Sequence, residues 1–132
     1  MIDQKRMALV VDDEPDDLEL VRHALASAGY KVKTAMDGKS AIKIFRAHAE
    51  EIDILVTDVA MSPMTGCDLA EQLVQLKWNL RVVFVSAYSG AQMFQYQNGP
   101  VTDFLFVPKP FTAEELLSKV APKTKTGSGA GW

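Results

Sequence analysis

Apolar residues fall along this chain in two alternating patterns. Compact apolar runs at 7–11, 52–57, 82–85 and 104–107 read as buried strands, and a weaker alternation at 30–35 reads as a strand with one wetter face. Between them run helical stripes. Pro15 suits a first helical position with Asp16 and Asp17 in the first turn; Leu18, Val21, Leu25 and Ala28 then repeat at helical spacing, and Gly29 closes the helix. Ala41, Ile42, Phe45 and Ala49 form a second stripe, and Leu69, Leu73 and Leu76 a third. Residues 90–97 carry a weaker helical pattern, diluted by Gly90 and its glutamines. Thr112 to Glu115 has the spacing of a capping box and leads into Leu116, Leu117 and Val120. Strand followed by helix, repeated five times, predicts a parallel sheet covered on both faces, which right-handed crossovers make a doubly wound α/β sandwich.

Composition narrows the class. A chain of 132 residues is one domain's worth, with 48% hydrophobic and 23% charged residues, so a self-sufficient core is expected rather than disorder. The net charge of -3 argues against binding nucleic acid through a general basic surface. Cys67 is a lone thiol, which suits a reducing compartment. The start lacks a signal-like apolar run, and no stretch has the length of a membrane span, so a cytoplasmic domain without membrane association is expected. Residues 5–121 are read as the domain and 122–132 as a flexible tail or linker of Lys, Thr, Gly and Ser.

The candidate chemistry lies where the predicted strands end. Asp12 and Asp13 follow the first strand, Asp58 the third, Ser86 the fourth, and Lys109 stands just beyond the fifth between Pro108 and Pro110. In open parallel sheets the ligand crevice lies at the carboxyl ends of the strands, so the fold itself delivers these distant residues to one edge. Three carboxylates there repel one another unless a pKa rises or a cation binds, and an oxygen-only set suits Mg²⁺. Lys109 adds a compact positive charge and Ser86 a hydroxyl. Together they make a site for phosphoryl transfer, in which an aspartate can serve as nucleophile. Asp16 and Asp17 have the simpler reading of carboxylates favouring a helix N-terminus.

In this order the residues resemble the receiver domain of two-component response regulators. The acidic pair Asp12-Asp13, the acceptor Asp58, Ser86-Ala87 and Lys109-Pro110-Phe111 match the family's motifs, while Phe106 matches its switch aromatic and Met61, Met64 and Gly66 keep their offsets from Asp58. The resemblance covers nearly the whole chain. It implies a flavodoxin-like (βα)5 fold with strand order 2-1-3-4-5. It implies that Asp58 accepts a phosphoryl group from the phosphohistidine of a histidine kinase or phosphotransfer protein. Mg²⁺ (or Mn²⁺) would be held by Asp13, Asp58 and the backbone carbonyl of Ala60, with Asp12 acting mainly through water. Lys109 would pair with the phosphoryl oxygens. Ser86 would move toward them, and Phe106 would turn inward, changing the surface around the predicted helix 90–97, the last strand and the last helix for a downstream protein. A cis bond before Pro110 is expected, and a monomer or weak dimer.

The chain departs from the family's pattern at Ser62-Pro63, where the proline comes one residue late, and at Pro100, which should disturb the turn after helix 90–97. Tyr88 stands where a bulky side chain would screen the phosphoryl group and lengthen its life. Two rivals share these residues: an aspartate-nucleophile, Mg-dependent phosphatase of the haloacid dehalogenase type, which wants its acidic pair two residues apart after strand one, and a receiver-shaped scaffold that is never phosphorylated. Of the remainder, Cys67 is read as a packed thiol, His23 and His48 as surface or boundary positions, and the lysines at 31, 33, 39 and 43 as a solvated face. Trp78 is expected to pack between the third helix and the fourth strand, and Met61 and Met64 leave room for a flexible partner contact.

Overall fold

The computed structural model describes residues 6–87 and 104–120. Strands β1 (Met7–Val11), β2 (Lys31–Ala35), β3 (Ile52–Asp58), β4 (Arg81–Ser86) and β5 (Leu105–Pro108) alternate with helices α1 (Pro15–Ser27), α2 (Gly38–Ala47) and α3 (Gly66–Leu76), and α4 (Ala113–Val120) follows β5. The predicted helix 90–97, with Tyr88, Pro100 and the tail 122–132, lies outside the described residues. All four pairings are parallel and the order is β2-β1-β3-β4-β5, a flavodoxin-like arrangement. Among the described residues no helix is long and apolar enough to cross a membrane.

The continuous apolar strands are explained by two cores, one on each face. Leu9, Val11, Leu55 and Phe84 point to one side and pack with Phe45 of α2 and Leu69 and Leu73 of α3. Ala8, Val10, Ile54, Val56, Val83 and Val85 point to the other and pack with Leu25 of α1 and Leu116 and Val120 of α4. Successive residues of a strand face opposite ways, so a strand buried on both faces must be apolar at every position. The edge strand β2 is the wetter one, as its alternation predicted.

Local signals set the helix ends. Gly29 takes φ +100, a left-handed value that closes the turn after α1. Thr112 and Glu115 make the expected capping box, with both bonds present at 2.9 and 3.0 Å. A second box at α3, where Thr65 Oγ1 accepts from the Asp68 amide and the Asp68 carboxylate accepts from the Thr65 amide, also has its signal in the sequence.

Two cations tie down the end of the sheet where the strands begin. Lys77 Nζ donates to the carbonyls of Ala49 at 2.9 Å and Ile52 at 2.6 Å and lies 3.4 Å from the Asp53 carboxylate. Arg81 donates to the carbonyls of Val120 at 3.0 Å and Lys119 at 3.2 Å, fastening the last turn of α4 to the foot of β4. Orphan carbonyls at a helix end are met here by a side chain from another element.

Two expectations are corrected. Trp78 does not pack between α3 and β4; it is 85% exposed. Lys77, drawn inward onto the two carbonyls, starts a turn closed by the Leu80 amide donating to the Lys77 carbonyl, and that turn buries Leu80 instead. A Trp78→Ala variant should therefore keep its thermal stability within about 0.5 kcal/mol, as surface substitutions do; a loss of 3 kcal/mol or so, the usual cost of removing a core tryptophan, would restore the packed reading. Met61 is no surface contact either. It is buried in the α2–α3 core, and half-buried Met64 packs against the same cluster. Cys67 is buried as expected, and burial pushes its thiol up to about 11.

Candidate functional site

The carboxyl ends of β1, β3, β4 and β5 meet at one edge. β1 pairs with β3 and β3 with β4, so Val11 lies beside Thr57 and Asp58 beside Val85, while Ser86 lies beside Pro108 in β5. The sheet register alone thus brings Asp12, Asp58, Ser86 and Lys109 within reach of one another. Asp58 is the last residue of β3, one position further into the strand than its sequence pattern suggested.

Each side chain is held locally. Asp12 is buried, its Oδ1 accepting from the Glu14 amide at 3.0 Å and its Oδ2 from Lys109 Nζ at 3.1 Å. Asp58 is buried, and its Oδ1 accepts from the Val59 amide at 2.9 Å. Asp13 stands exposed beside them, and oxygens of all three carboxylates lie within 4.8 Å of one another. Ala60 follows on the exposed loop after β3. Lys109 is fixed by its backbone, since its amide donates to the Ser86 carbonyl at 2.8 Å, and the Lys109–Pro110 bond is cis, as is Ser62–Pro63. Its ammonium lies 2.9 Å from Asp17 Oδ2 and 3.7 Å from Asp58 Oδ1. Ser86 is fully buried at the end of β4. Phe106 is half-buried, paired in register with Phe84 and packed against the α2–α3 core.

Two contacts at the site escape the sequence reading. Asp17 looks like an ordinary carboxylate in a helix's first turn, and nothing in its local spacing reveals a lysine 92 residues away. Gly66 opens α3 directly against β3. A Cβ there would fall far inside contact distance of the Asp58 carbonyl oxygen, 2.9 Å from its carbon and 3.1 Å from Thr57 Oγ1. Its offset from Asp58 was visible, but the reason for a glycine appears only in the packing.

The electrostatics are short of positive charge. Burial, then the neighbouring charges of Asp12 and Asp13, push the Asp58 carboxyl up to about 6 against the pull of Lys109 and the Val59 amide. Burial also raises Asp12 above the usual carboxylate range despite its bonds to Glu14 and Lys109. Burial works against the Lys109 ammonium, but its bonds to Asp17 and Asp12 and the nearby charge of Asp58 outweigh that and raise its pKa. Such a group of hard oxygen donors, with its negative charge only partly offset, fits a divalent cation of the Mg²⁺ or Mn²⁺ kind.

Residues 8–121 match the family described as the response regulator receiver domain. The chain is 36% identical over 113 residues to the sensor kinase CckA of Brucella abortus, a match covering 85% of this chain but only 12% of that kinase. Its fold is similar to that of the chemotaxis protein CheY4 of Vibrio cholerae, with a TM-score of 0.78, 26% identity, and 88% of this chain and 96% of that one covered. It is also similar to a structure of the CheX-CheY-BeF3-Mg complex from Borrelia burgdorferi, with a TM-score of 0.75, 25% identity, and 87% and 86% of the two chains covered.

Proposed function

The chain belongs to the response regulator receiver domain family of two-component signalling, and from that membership we propose that it is a phosphorylation-dependent switch with Asp58 as the phosphoacceptor. The observation that carries this reading is a buried nucleophile beside a fixed cation: the Asp58 carboxylate lies 3.7 Å from the Lys109 ammonium at the sheet's carboxyl edge.

An oxygen of Asp58 attacks phosphorus. The O–P bond forms as the P–N bond of a partner's phosphohistidine breaks, and the imidazole nitrogen keeps the electron pair. The Val59 amide holds the carboxylate in place for the attack. The Lys109 ammonium donates to the phosphoryl oxygens, and the Ser86 hydroxyl moves to donate to one of them. A divalent cation would be held by Asp13, Asp58 and the Ala60 carbonyl, with Asp12 acting mainly through water, and when bound would supply charge that offsets the carboxylates and the phosphoryl oxygens.

The phosphoryl bonds to Ser86 and Lys109 favour one of two arrangements of the chain. Phe106, half-buried now, turns inward in the phosphorylated arrangement and remakes the surface of β5 and α4 for a downstream protein. The donor is a histidine kinase or a phosphotransfer protein. The role is that of a switch that assists its own phosphorylation and dephosphorylation, rather than an enzyme turning over a diffusible metabolite.

Intact-protein mass after incubation with acetyl phosphate and Mg²⁺ tests this. We expect a gain of one phosphoryl group that EDTA prevents and Asp58→Asn abolishes. If neither acetyl phosphate nor a phosphohistidine donor adds mass to the chain, the scaffold reading replaces this one. Continuous hydrolysis of a phosphomonoester would instead favour the phosphatase.

A further inference from the structure

The nearest partner of Lys109 is not one of the residues to which its resemblance assigned a role. Asp17 Oδ2 lies 2.9 Å from the ammonium, closer than Asp12 at 3.1 Å and much closer than Asp58 at 3.7 Å, a separation too long for a hydrogen bond. Asp17 sits in the first turn of α1, and Lys109 comes from the loop after β5. The contact therefore joins a helix start to the catalytic edge.

An ammonium has three N–H donors, and here Asp12 and Asp17 take two of them. Asp12 is buried and shares the pocket with Asp58, so its bond keeps Lys109 at the site. The Asp17 side chain is 36% exposed and lies on the α1 side of the lysine. Its carboxylate is the nearest of the three to the ammonium and takes a donor that Asp58, at 3.7 Å, does not receive. It also adds a negative charge near the place where phosphoryl oxygens must sit.

We propose that Asp17 is a positioning residue: its carboxylate latches the Lys109 ammonium off Asp58 in the resting chain and so slows phosphoryl uptake. This rests on the phosphoacceptor reading of Asp58. Uptake then includes a change of partner, in which Lys109 gives up Asp17 for a phosphoryl oxygen. With acetyl phosphate, the Asp58 O–P bond forms, the bond from phosphorus to the acetyl oxygen breaks, and acetate leaves with the electron pair.

Two measurements on four chains test the latch: the wild type, Asp17→Ala, Lys109→Gln and the double variant. The first is urea unfolding in EDTA, which needs no phosphorylation. The two single effects should be non-additive by at least about threefold in the unfolding equilibrium constant, as for residues in direct contact. The second is the initial rate of phosphoryl uptake from acetyl phosphate. Asp17→Ala should raise it by about two- to fivefold, the scale set by losing one partly exposed ion pair. In the Lys109→Gln background the same change should do nothing, whereas a mere surface charge would act in both backgrounds.

Additive unfolding effects, an unchanged or lower rate in Asp17→Ala, or a gain that persists without Lys109 would each overturn the latch while leaving Asp58 as acceptor. A wild-type chain that takes up no phosphoryl group, with the unfolding coupling intact, overturns the acceptor reading and the role of the latch with it.

Discussion

Alanine at Gly66 is expected to cost the fold about 3 kcal/mol or more and to abolish phosphoryl uptake, because its methyl group has nowhere to go. Overpacking a rigid site costs about 1–3 kcal/mol where side chains can give way. Here the obstacles are the Asp58 backbone carbonyl and Thr57 Oγ1, which itself donates to that carbonyl at 2.9 Å. Neither is the free end of a flexible side chain. Relief requires α3 to back away from β3, but the Gly66 amide donates to the Val59 carbonyl at 2.9 Å and Leu69, Ala70 and Leu73 are buried behind it. The strain therefore falls on Asp58 and the Val59 amide that holds its carboxylate. Urea unfolding and the phosphorylation mass assay read the two parts of the prediction separately. A Gly66→Ala chain of wild-type stability with normal uptake would show that α3 can move freely at its start.

The second large effect concerns charge. Asp58→Asn should stabilise the metal-free chain at neutral pH. The Asp58 carboxyl is held at about 6 in the folded state, above the 3.8 of an unperturbed aspartate. Between those values the folded chain binds more protons than the unfolded one, so stability falls as pH rises. The favourable contribution is full below about 4 and is lost as pH passes through about 6. A shift of that size corresponds to about 3 kcal/mol at pH 7, as an upper value. Thermal melts of wild type and variant in EDTA should coincide near pH 4 and separate toward pH 7, with the variant the more stable. Excess Mg²⁺ should narrow the gap, raising the wild type by about 2.7 kcal/mol at a hundred times its dissociation constant and the variant much less. A variant less stable than the wild type at pH 7 in EDTA would mean that the unrelieved acidic pocket does not strain the fold.

Much of this was legible in the residue pattern. Strands such as Leu9 to Val11 and Leu55 to Val56, apolar at every position, announced a sheet buried on both faces, and the polar residues at their ends marked the edge where Asp12, Asp58, Ser86 and Lys109 meet. What could not be read is what depends on distance through space. Asp17 carries the same local signature as Asp16, yet only Asp17 reaches Lys109. Lys77 looks like one more solvated lysine, yet its inward turn decides that Leu80 is buried and Trp78 exposed. In each case a long side chain chooses a partner from another element, and periodicity along the chain holds no information about that choice.

The anchoring of Val120 by Arg81 has a bearing on how a signal leaves the protein. β4 runs from that anchor to Ser86, about 17 Å at 3.3 Å per residue. Whatever continues past Val120 therefore sets out from the opposite end of the sheet to Asp58 and Ser86, where the proposed phosphoryl chemistry would take place. A message bound for that end has to cross the whole thickness of the domain as a mechanical displacement, whereas a partner docking at the rim can feel the new charge directly.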